Sequence, residues 1–98
     1  MIDAKQIRAA RALLEWSQPE LAQHSGLSLT TIRRMEDSSI GPSRSSAGNV
    51  TTLQRTLEAA GIIFIPENGG GSGVRVDKPG RQSDEGTRLE NLNSANDA

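Results

Sequence analysis

The segment Trp16–Asp37, WSQPELAQHSGLSLTTIRRMED, decides the fold of this chain. It contains two short stretches with helical periodicity, and Gly26 stands at the joint between them. Ser17 precedes the first stretch and Glu20 follows three residues later, which is the S-x-x-E spacing of a capping box. The segment therefore predicts a helix with a defined first residue, followed by a sharp turn.

The second stretch begins with the same kind of pattern. Ser28 can cap it, and Leu27 and Ile32 are spaced as a hydrophobic staple across its first turn. Trp16 and Leu21 hold the matching staple positions around the first stretch. Both helices therefore have a polar cap and an apolar contact that fix the direction in which the chain enters them.

We predict these helices over Gln18 to about His24 and Leu29 to about Asp37. Two short helices that meet at such a joint form a helix-turn-helix, in which the second helix is presented to the major groove of DNA. The alternative is a protein-interaction module built on the same two helices.

The residues before this segment predict a further helix from Ala4 to about Leu14. Asp3 is its expected N-cap, Gln6 the capping-box partner, and Ile2 with Ile7 the staple. This helix supplies one wall of a small core.

After the segment, residues 38–48 are a loop by composition, SSIGPSRSSAG. We expect Asn49 to cap a fourth helix whose apolar face ends near Ala60, with Gly61 as the residue after its C-cap. The fold class is therefore mainly α, a four-helix domain over residues 1–61.

Two short strands are predicted next, over Ile62–Ile65 and Val74–Val76. Every residue of IIFI is apolar, so both faces of the first strand should be covered. The fourth helix can cover one face, and a second copy of the protein is the expected cover for the other. Residues 62–76 are thus the expected dimerisation segment. Its contact residues would be Ile63, Phe64 and Ile65.

From Asp77 to Ala98 the chain is polar, with Leu89 and Leu92 as its sizeable apolar groups. Such composition buries too little apolar surface to offset the entropy of ordering, so residues 77–98 are expected to be a disordered tail. The whole chain is one small domain with two appended segments.

Composition excludes several classes of site. The 98 residues include no cysteine, so disulfides and thiolate metal ligands are excluded. A metal site needs several ligands, and the single histidine has no neighbouring Cys or His, so we expect no metal site. We expect no cofactor, and no constellation of catalytic side chains suggests an enzyme.

No apolar run is long enough to span a bilayer, and a cytoplasmic, bacterial-type location is expected. The net charge of −1 is neutral evidence about nucleic acid, because phosphate contacts depend on local placement.

The chain resembles the Cro/C1-type (lambda-repressor-like, XRE) helix-turn-helix regulators over roughly residues 1–76. It departs from the usual family pattern at Asp37-Ser38-Ser39, where a glycine commonly follows the glutamate. The matching residues are Arg11, the S-Q-x-E-L-A run Ser17–Ala22, Gly26, Ser28, Ile32 and Glu36.

The resemblance implies a set of residues that contact double-stranded DNA. Gln18 matches a glutamine that touches a phosphate at the positive end of its helix. Arg33 and Arg34 are candidates for hydrogen bonds to guanine, and Leu29 and Thr30 for contact with a thymine methyl. Two arginines on a helix otherwise form a solvated face, and the sequence does not say which would read a base. Contacts to the DNA backbone are assigned to Ser28, Thr31 and Arg44.

The resemblance also implies a structural pair. Arg11 interrupts an apolar stripe, where an unpaired charge would be costly, and the family pairs the matching arginine with the residue at Glu36. The implied function is a dimeric transcriptional regulator, a repressor that reads an inverted-repeat operator with its third helix. An antitoxin of the same family, with a protein partner bound by its C-terminal segment, is the alternative.

Overall fold

A computed structural model describes residues 1–77 of the chain. Four helices are followed by a two-stranded antiparallel hairpin, so the predicted fold class is confirmed. The predicted tail, apart from Asp77, lies outside the described residues. The elements are α1 (Ala4–Leu14), α2 (Gln18–Ser25), α3 (Leu29–Glu36), a 3₁₀ turn (Pro42–Arg44), α4 (Ala47–Ala59), β1 (Ile62–Ile65) and β2 (Gly73–Val76).

The predicted caps of the first three helices are present. At α1 the side chain of Asp3 accepts the Gln6 backbone N–H at 2.8 Å, and the Gln6 side chain accepts the Asp3 N–H at 3.0 Å. Ser17 and Glu20 form the same reciprocal box at α2. These bonds satisfy backbone donors that a helix N-terminus leaves without partners.

The predicted start of the fourth helix was wrong. Ser46, not Asn49, is the N-cap of α4, and its hydroxyl accepts the Asn49 N–H at 3.1 Å. Both residues are good caps, but the 3₁₀ turn ends at Arg44 and leaves room for the helix to begin one turn earlier. The other end agrees with the prediction, because Gly61 follows the C-cap with φ at 108°.

One apolar core joins all four helices and the hairpin. It includes both staples of the helix-turn-helix, with Leu21 and Ile32 fully buried and Trp16 and Leu27 packed at its edge. Burial of each large aliphatic side chain is worth about 1.5–3 kcal/mol, so these few residues account for much of the stability. The side chains with essentially no exposure are Ile7, Leu21, Ile32, Met35, Leu53 and Leu57.

The hairpin is attached to α1 by a buried amide. Gln6 is only 6% exposed. Its side-chain Nε2 donates to the carbonyl of Ile65 at 3.2 Å and to the carbonyl of Gly73 at 2.9 Å. The register pairs Ile63 with Arg75 and Phe64 with Val74. Gln6 thus both closes the cap of α1 and holds the loop end of the hairpin against that helix.

No helix among residues 1–77 has both the length and the apolar composition that a membrane span requires.

Candidate nucleic-acid interface

The joint between α2 and α3 depends on Gly26. Its φ of 77° lies in the left-handed region, which a residue with a Cβ adopts only at a cost. A Cβ built there would meet no atom within 4 Å, so the requirement is for the backbone angle and not for space. The Gly26 N–H donates to the Ala22 carbonyl at 2.9 Å, which ends α2 and turns the chain into α3.

Arg11 and Glu36 form the predicted pair. The guanidinium donates from Nε to Oε2 and from Nη2 to Oε1, both at 2.9 Å, and the Glu36 side chain is only 2% exposed. The side-chain hydrogen bond to Glu36 raises the pKa of Arg11 above its ordinary value, against a smaller opposing effect of burial. This two-point contact fixes both the position and the rotation of the C-terminal end of α3 relative to α1.

Gln18 has a structural contact that the sequence did not indicate. Its Nε2 donates to Glu36 Oε1 at 3.0 Å, so the first residue of α2 joins the same buried carboxylate. The Nε2 of Gln18 is therefore directed toward the C-terminal end of α3, and the positive dipole end of α2 lies beside it.

Arg8 is a positioning residue that sequence reasoning missed. Its Nη1 donates to the backbone carbonyl of Glu36, and to the hydroxyl of Ser38 at 3.2 Å. A cation is favourable at a helix C-terminus, where carbonyls lack intrahelical partners. The sequence feature that could have indicated this role is the spacing of Arg8 and Arg11, which are three residues apart and so share one face of α1.

The outward face of α3 carries polar and cationic side chains. Thr30, Arg33 and Arg34 are exposed, whereas Ile32 and Met35 on the opposite face are buried. At 100° per residue, Thr30 and Arg34 lie at the centre of the exposed face and Arg33 lies to one side.

The start of α3 is ordered by its own cap. The Ser28 hydroxyl accepts the Thr31 N–H at 3.1 Å and donates to Thr31 Oγ1 at 2.9 Å. Leu29 and Thr31 are both half-buried, so their predicted contacts would involve only part of each side chain. Ser28 is exposed beside them.

A cationic cleft lies between α3 and the start of α4. Its volume is about 280 Å³, and the two arginines in its lining are Arg34 and Arg44. Neither arginine belongs to an ion pair among residues 1–77. Sequence reasoning identified Arg34, Arg44 and Thr31 but missed Ser45, which follows the 3₁₀ turn, and Asn49 in the first turn of α4. The lining is completed by Thr31, Ile40, Ser45 and Asn49.

Trp16 and His24 form a stacked pair, with ring centroids 4.1 Å apart and planes 5° from parallel. Trp16 packs against the core as its staple position predicts, and His24 lies exposed near the end of α2. Within residues 1–77 no three His, Cys, Asp or Glu side chains are grouped as metal ligands.

The residues predicted to form a dimer contact differ in position. Phe64 packs against the core together with Val74, whereas Ile63 and Ile65, at alternate positions of β1, are half-buried and lie outside the core cluster. Of the predicted DNA-contact residues, the structure brings Thr31, Arg34 and Arg44 together around the cleft, and it leaves the predicted dimer residues on the hairpin.

Comparison of the chain with protein-family models and with curated proteins gave no match. The case for a function therefore depends on the geometry of the residues themselves.

Proposed function

We propose that this protein is a sequence-specific DNA-binding transcriptional regulator that inserts α3 into the major groove. The observation that carries the proposal is the arrangement of α3 itself. Its inner side is held by Arg8, Arg11 and Gln18 through Glu36, while its outer side offers exposed threonine and arginine side chains. A rigidly held helix with a polar, cationic outer face suits base reading, because small errors of position destroy bidentate hydrogen bonds.

Arg34 is the residue we assign to base recognition. It lies at the centre of the outward face beside Thr30, and its guanidinium can donate two parallel hydrogen bonds to guanine O6 and N7. The methyl of Thr30 suits a thymine methyl, and Leu29 adds apolar contact at the edge. Arg33, on the flank, is assigned to the adjacent base or phosphate.

Phosphate contacts would lie on both sides of α3. Arg44 and the rim of the cationic cleft lie next to Arg34, so a backbone phosphate at the cleft is close to the base that Arg34 reads. On the other flank, the N-terminal end of α2 presents its positive dipole end and at most the Gln18 backbone N–H, because Pro19 has no N–H and the Ser17 hydroxyl accepts that of Glu20. Such contacts set the register of a protein on DNA without reading sequence.

The proposed regulator acts as a dimer on an inverted repeat. One helix-turn-helix covers few base pairs, whereas two copies related by a two-fold axis read two half-sites about 34 Å apart on one face of the duplex. A protein of this kind that covers a promoter represses transcription, and its place of action is the bacterial cytoplasm.

The test is selection of bound sequences from a random duplex pool by the full-length protein at a stated salt concentration. We expect enrichment of an inverted repeat, with affinity that falls steeply as salt rises. Recovery of an unenriched pool would overturn the proposal. If the protein then co-purified with a second chain from its native host, a partner-binding module such as an antitoxin would replace it.

A further inference from the structure

The proposed function makes no use of a second cleft, which lies where α2 packs against α4. Its volume is about 700 Å³, against about 280 Å³ for the cationic cleft. Sites for small organic ligands commonly have volumes of about 300–1,000 Å³, so this cleft is large enough for one. We call it the α2–α4 cleft, and its lining consists of Trp16, His24, Thr52, Arg55, Thr56, Ala59 and Ala60.

Two stacked rings form one side of the α2–α4 cleft. They are the indole of Trp16 and the imidazole of His24, whose planes are 5° from parallel. Trp16 is fixed by its packing against the core, whereas the His24 side chain makes no hydrogen bond within residues 1–77 and is placed by the stack. A flat, partly exposed aromatic surface of this kind is a favourable contact for another planar ring.

One face of α4 forms the other side. Four residues have the i, i+3, i+4, i+7 spacing that brings side chains onto a single helix face, namely Thr52, Arg55, Thr56 and Ala59. The Thr56 hydroxyl donates to the Thr52 carbonyl at 2.8 Å, so its proton is already used. Ala59 has only a methyl group, which leaves room beside the stacked rings. The strongly polar group of this wall is therefore the guanidinium of Arg55.

Arg55 supplies the charge of the α2–α4 cleft. Its side chain is exposed and has no ion pair or hydrogen bond with any of residues 1–77. Two neighbouring carboxylates are engaged elsewhere and do not line the cleft. Glu20 accepts the Ser17 N–H at 2.7 Å, and Glu58 accepts the Gln54 side-chain amide at 3.1 Å. An unpaired guanidinium can bind a carboxylate through two parallel hydrogen bonds.

The helix ends at the cleft limit the ligand to a single negative charge. Helix α4 ends at Ala59, and His24 is in the last turn of α2, so both helices direct the negative ends of their dipoles to this region. One guanidinium can balance one carboxylate there, whereas a phosphate dianion would retain excess negative charge. A monoanion with a flat apolar body therefore fits the α2–α4 cleft.

We propose that the α2–α4 cleft binds a small planar aromatic carboxylate. The ring of the ligand packs against the Trp16–His24 pair, and its carboxylate accepts hydrogen bonds from Arg55. The inference goes beyond the proposed function, because none of the residues that line this cleft is assigned to DNA and ligand binding requires no duplex.

Titration of the full-length chain with 2-naphthoate tests the site. Trp16 is the sole tryptophan, so its indole N–H gives a single signal in a ¹⁵N-edited NMR spectrum. We expect this signal to shift saturably with a dissociation constant of about 1 mM or lower, which is the range for a ligand of this size. The uncharged 2-naphthamide, which keeps the ring system, and cyclohexanecarboxylate, which keeps the charge, should each bind about tenfold more weakly.

Two variants separate the roles of the charge and the rings. Arg55→Gln should weaken 2-naphthoate binding about tenfold and leave 2-naphthamide binding within about twofold, because the amide has no charge to pair. His24→Ala should weaken the binding of both compounds about fivefold, because it removes one ring of the stack. Arg75→Gln, the matched change at an exposed arginine of β2, should alter neither affinity. Circular dichroism verifies that each variant is folded.

The absence of a saturable shift of the Trp16 signal up to about 10 mM 2-naphthoate would overturn the inference. Equal affinity for 2-naphthoate and 2-naphthamide, or equal losses in Arg55→Gln and Arg75→Gln, would do the same. These titrations contain no DNA, so their failure leaves the proposed recognition by α3 intact. Failure of the random-pool selection would likewise reject the DNA proposal alone.

Discussion

At the scale of single residues, Glu36 determines how α3 is positioned. Its buried carboxylate accepts two bonds from Arg11 and one from Gln18, and its backbone carbonyl accepts one from Arg8. Three side chains from α1 and α2 thus converge on one residue of α3. The removal of any one donor would leave a buried oxygen of this residue without its hydrogen-bond partner, which is costly.

We predict that Arg11→Ala lowers the free energy of unfolding by about 3–5 kcal/mol, because it leaves the Glu36 carboxylate buried without its cation. Glu36→Ala should cost less, since Arg11 is partly exposed and can reach solvent. Urea denaturation of the two single variants and the double variant measures these free energies of unfolding. The double variant should lose less than the sum of the singles, and strict additivity would contradict the pairing.

A second prediction concerns pH and the capping box of α2. Hydrogen bonds from the backbone and side chain of Ser17 lower the pKa of Glu20 below its ordinary value. A carboxyl whose pKa is lower in the folded state contributes stability above its unfolded pKa, and that contribution is lost as pH falls through the folded value. The difference in melting temperature between wild type and Glu20→Gln should therefore shrink on acidification from pH 7 to pH 3. A constant difference across this range would contradict the assignment.

At the scale of elements, the sequence predicted what local chemistry determines. The starts of α1, α2 and α3 follow from caps and staples, and the end of α2 follows from Gly26; all of these act within one turn of helix. The contacts of Gln18 and Arg8 were not predictable in this way, because each joins residues far apart in sequence through a packing arrangement that only the folded chain defines. The start of α4 was missed for a related reason. Ser46 and Asn49 are both good caps, and the preceding 3₁₀ turn determines which one is used.

This correction makes a prediction of its own. Ser46→Ala should lower the free energy of unfolding by about 1 kcal/mol, because it removes the cap of α4. Asn49→Ala, the matched control three residues later, should change it by less than about 0.5 kcal/mol. Thermal melts of the two variants measure this difference. A larger loss of stability in Asn49→Ala than in Ser46→Ala would contradict Ser46 as the N-cap and favour Asn49.

At the scale of the whole molecule, the hairpin belongs to the folded unit. Ile62 is buried in the common core, and the Gln6 amide links α1 to the carbonyls at the loop end of the hairpin. The sequence predicted both strands and the apolar character of β1. It did not predict that α1 would contact the hairpin, because the sequence pattern around Gln6 indicates only its role in the capping box of α1.

We predict that a chain ending at Asp77 folds and binds DNA as the full chain does. The cut preserves the bond from the Asp77 N–H to Gly61 and every contact of the core. Its melting temperature should match that of the full-length protein within about 2 °C, and its affinity for a selected duplex should agree within about twofold. A marked loss of operator affinity at unchanged stability would show that residues 78–98 take part in recognition.

The central claim, that α3 reads DNA through Arg34, is tested most directly by binding isotherms of wild type and Arg34→Ala on the selected operator and its single-base variants. Arg34→Ala should keep its melting temperature and lose about 1–3 kcal/mol of discrimination at one base pair in each half-site. Arg44→Ala, the matched control in the cleft, should instead weaken binding to all of these duplexes alike and reduce the salt slope by about 1. Unchanged affinity and base preference in Arg34→Ala, with the fold intact, would contradict the account.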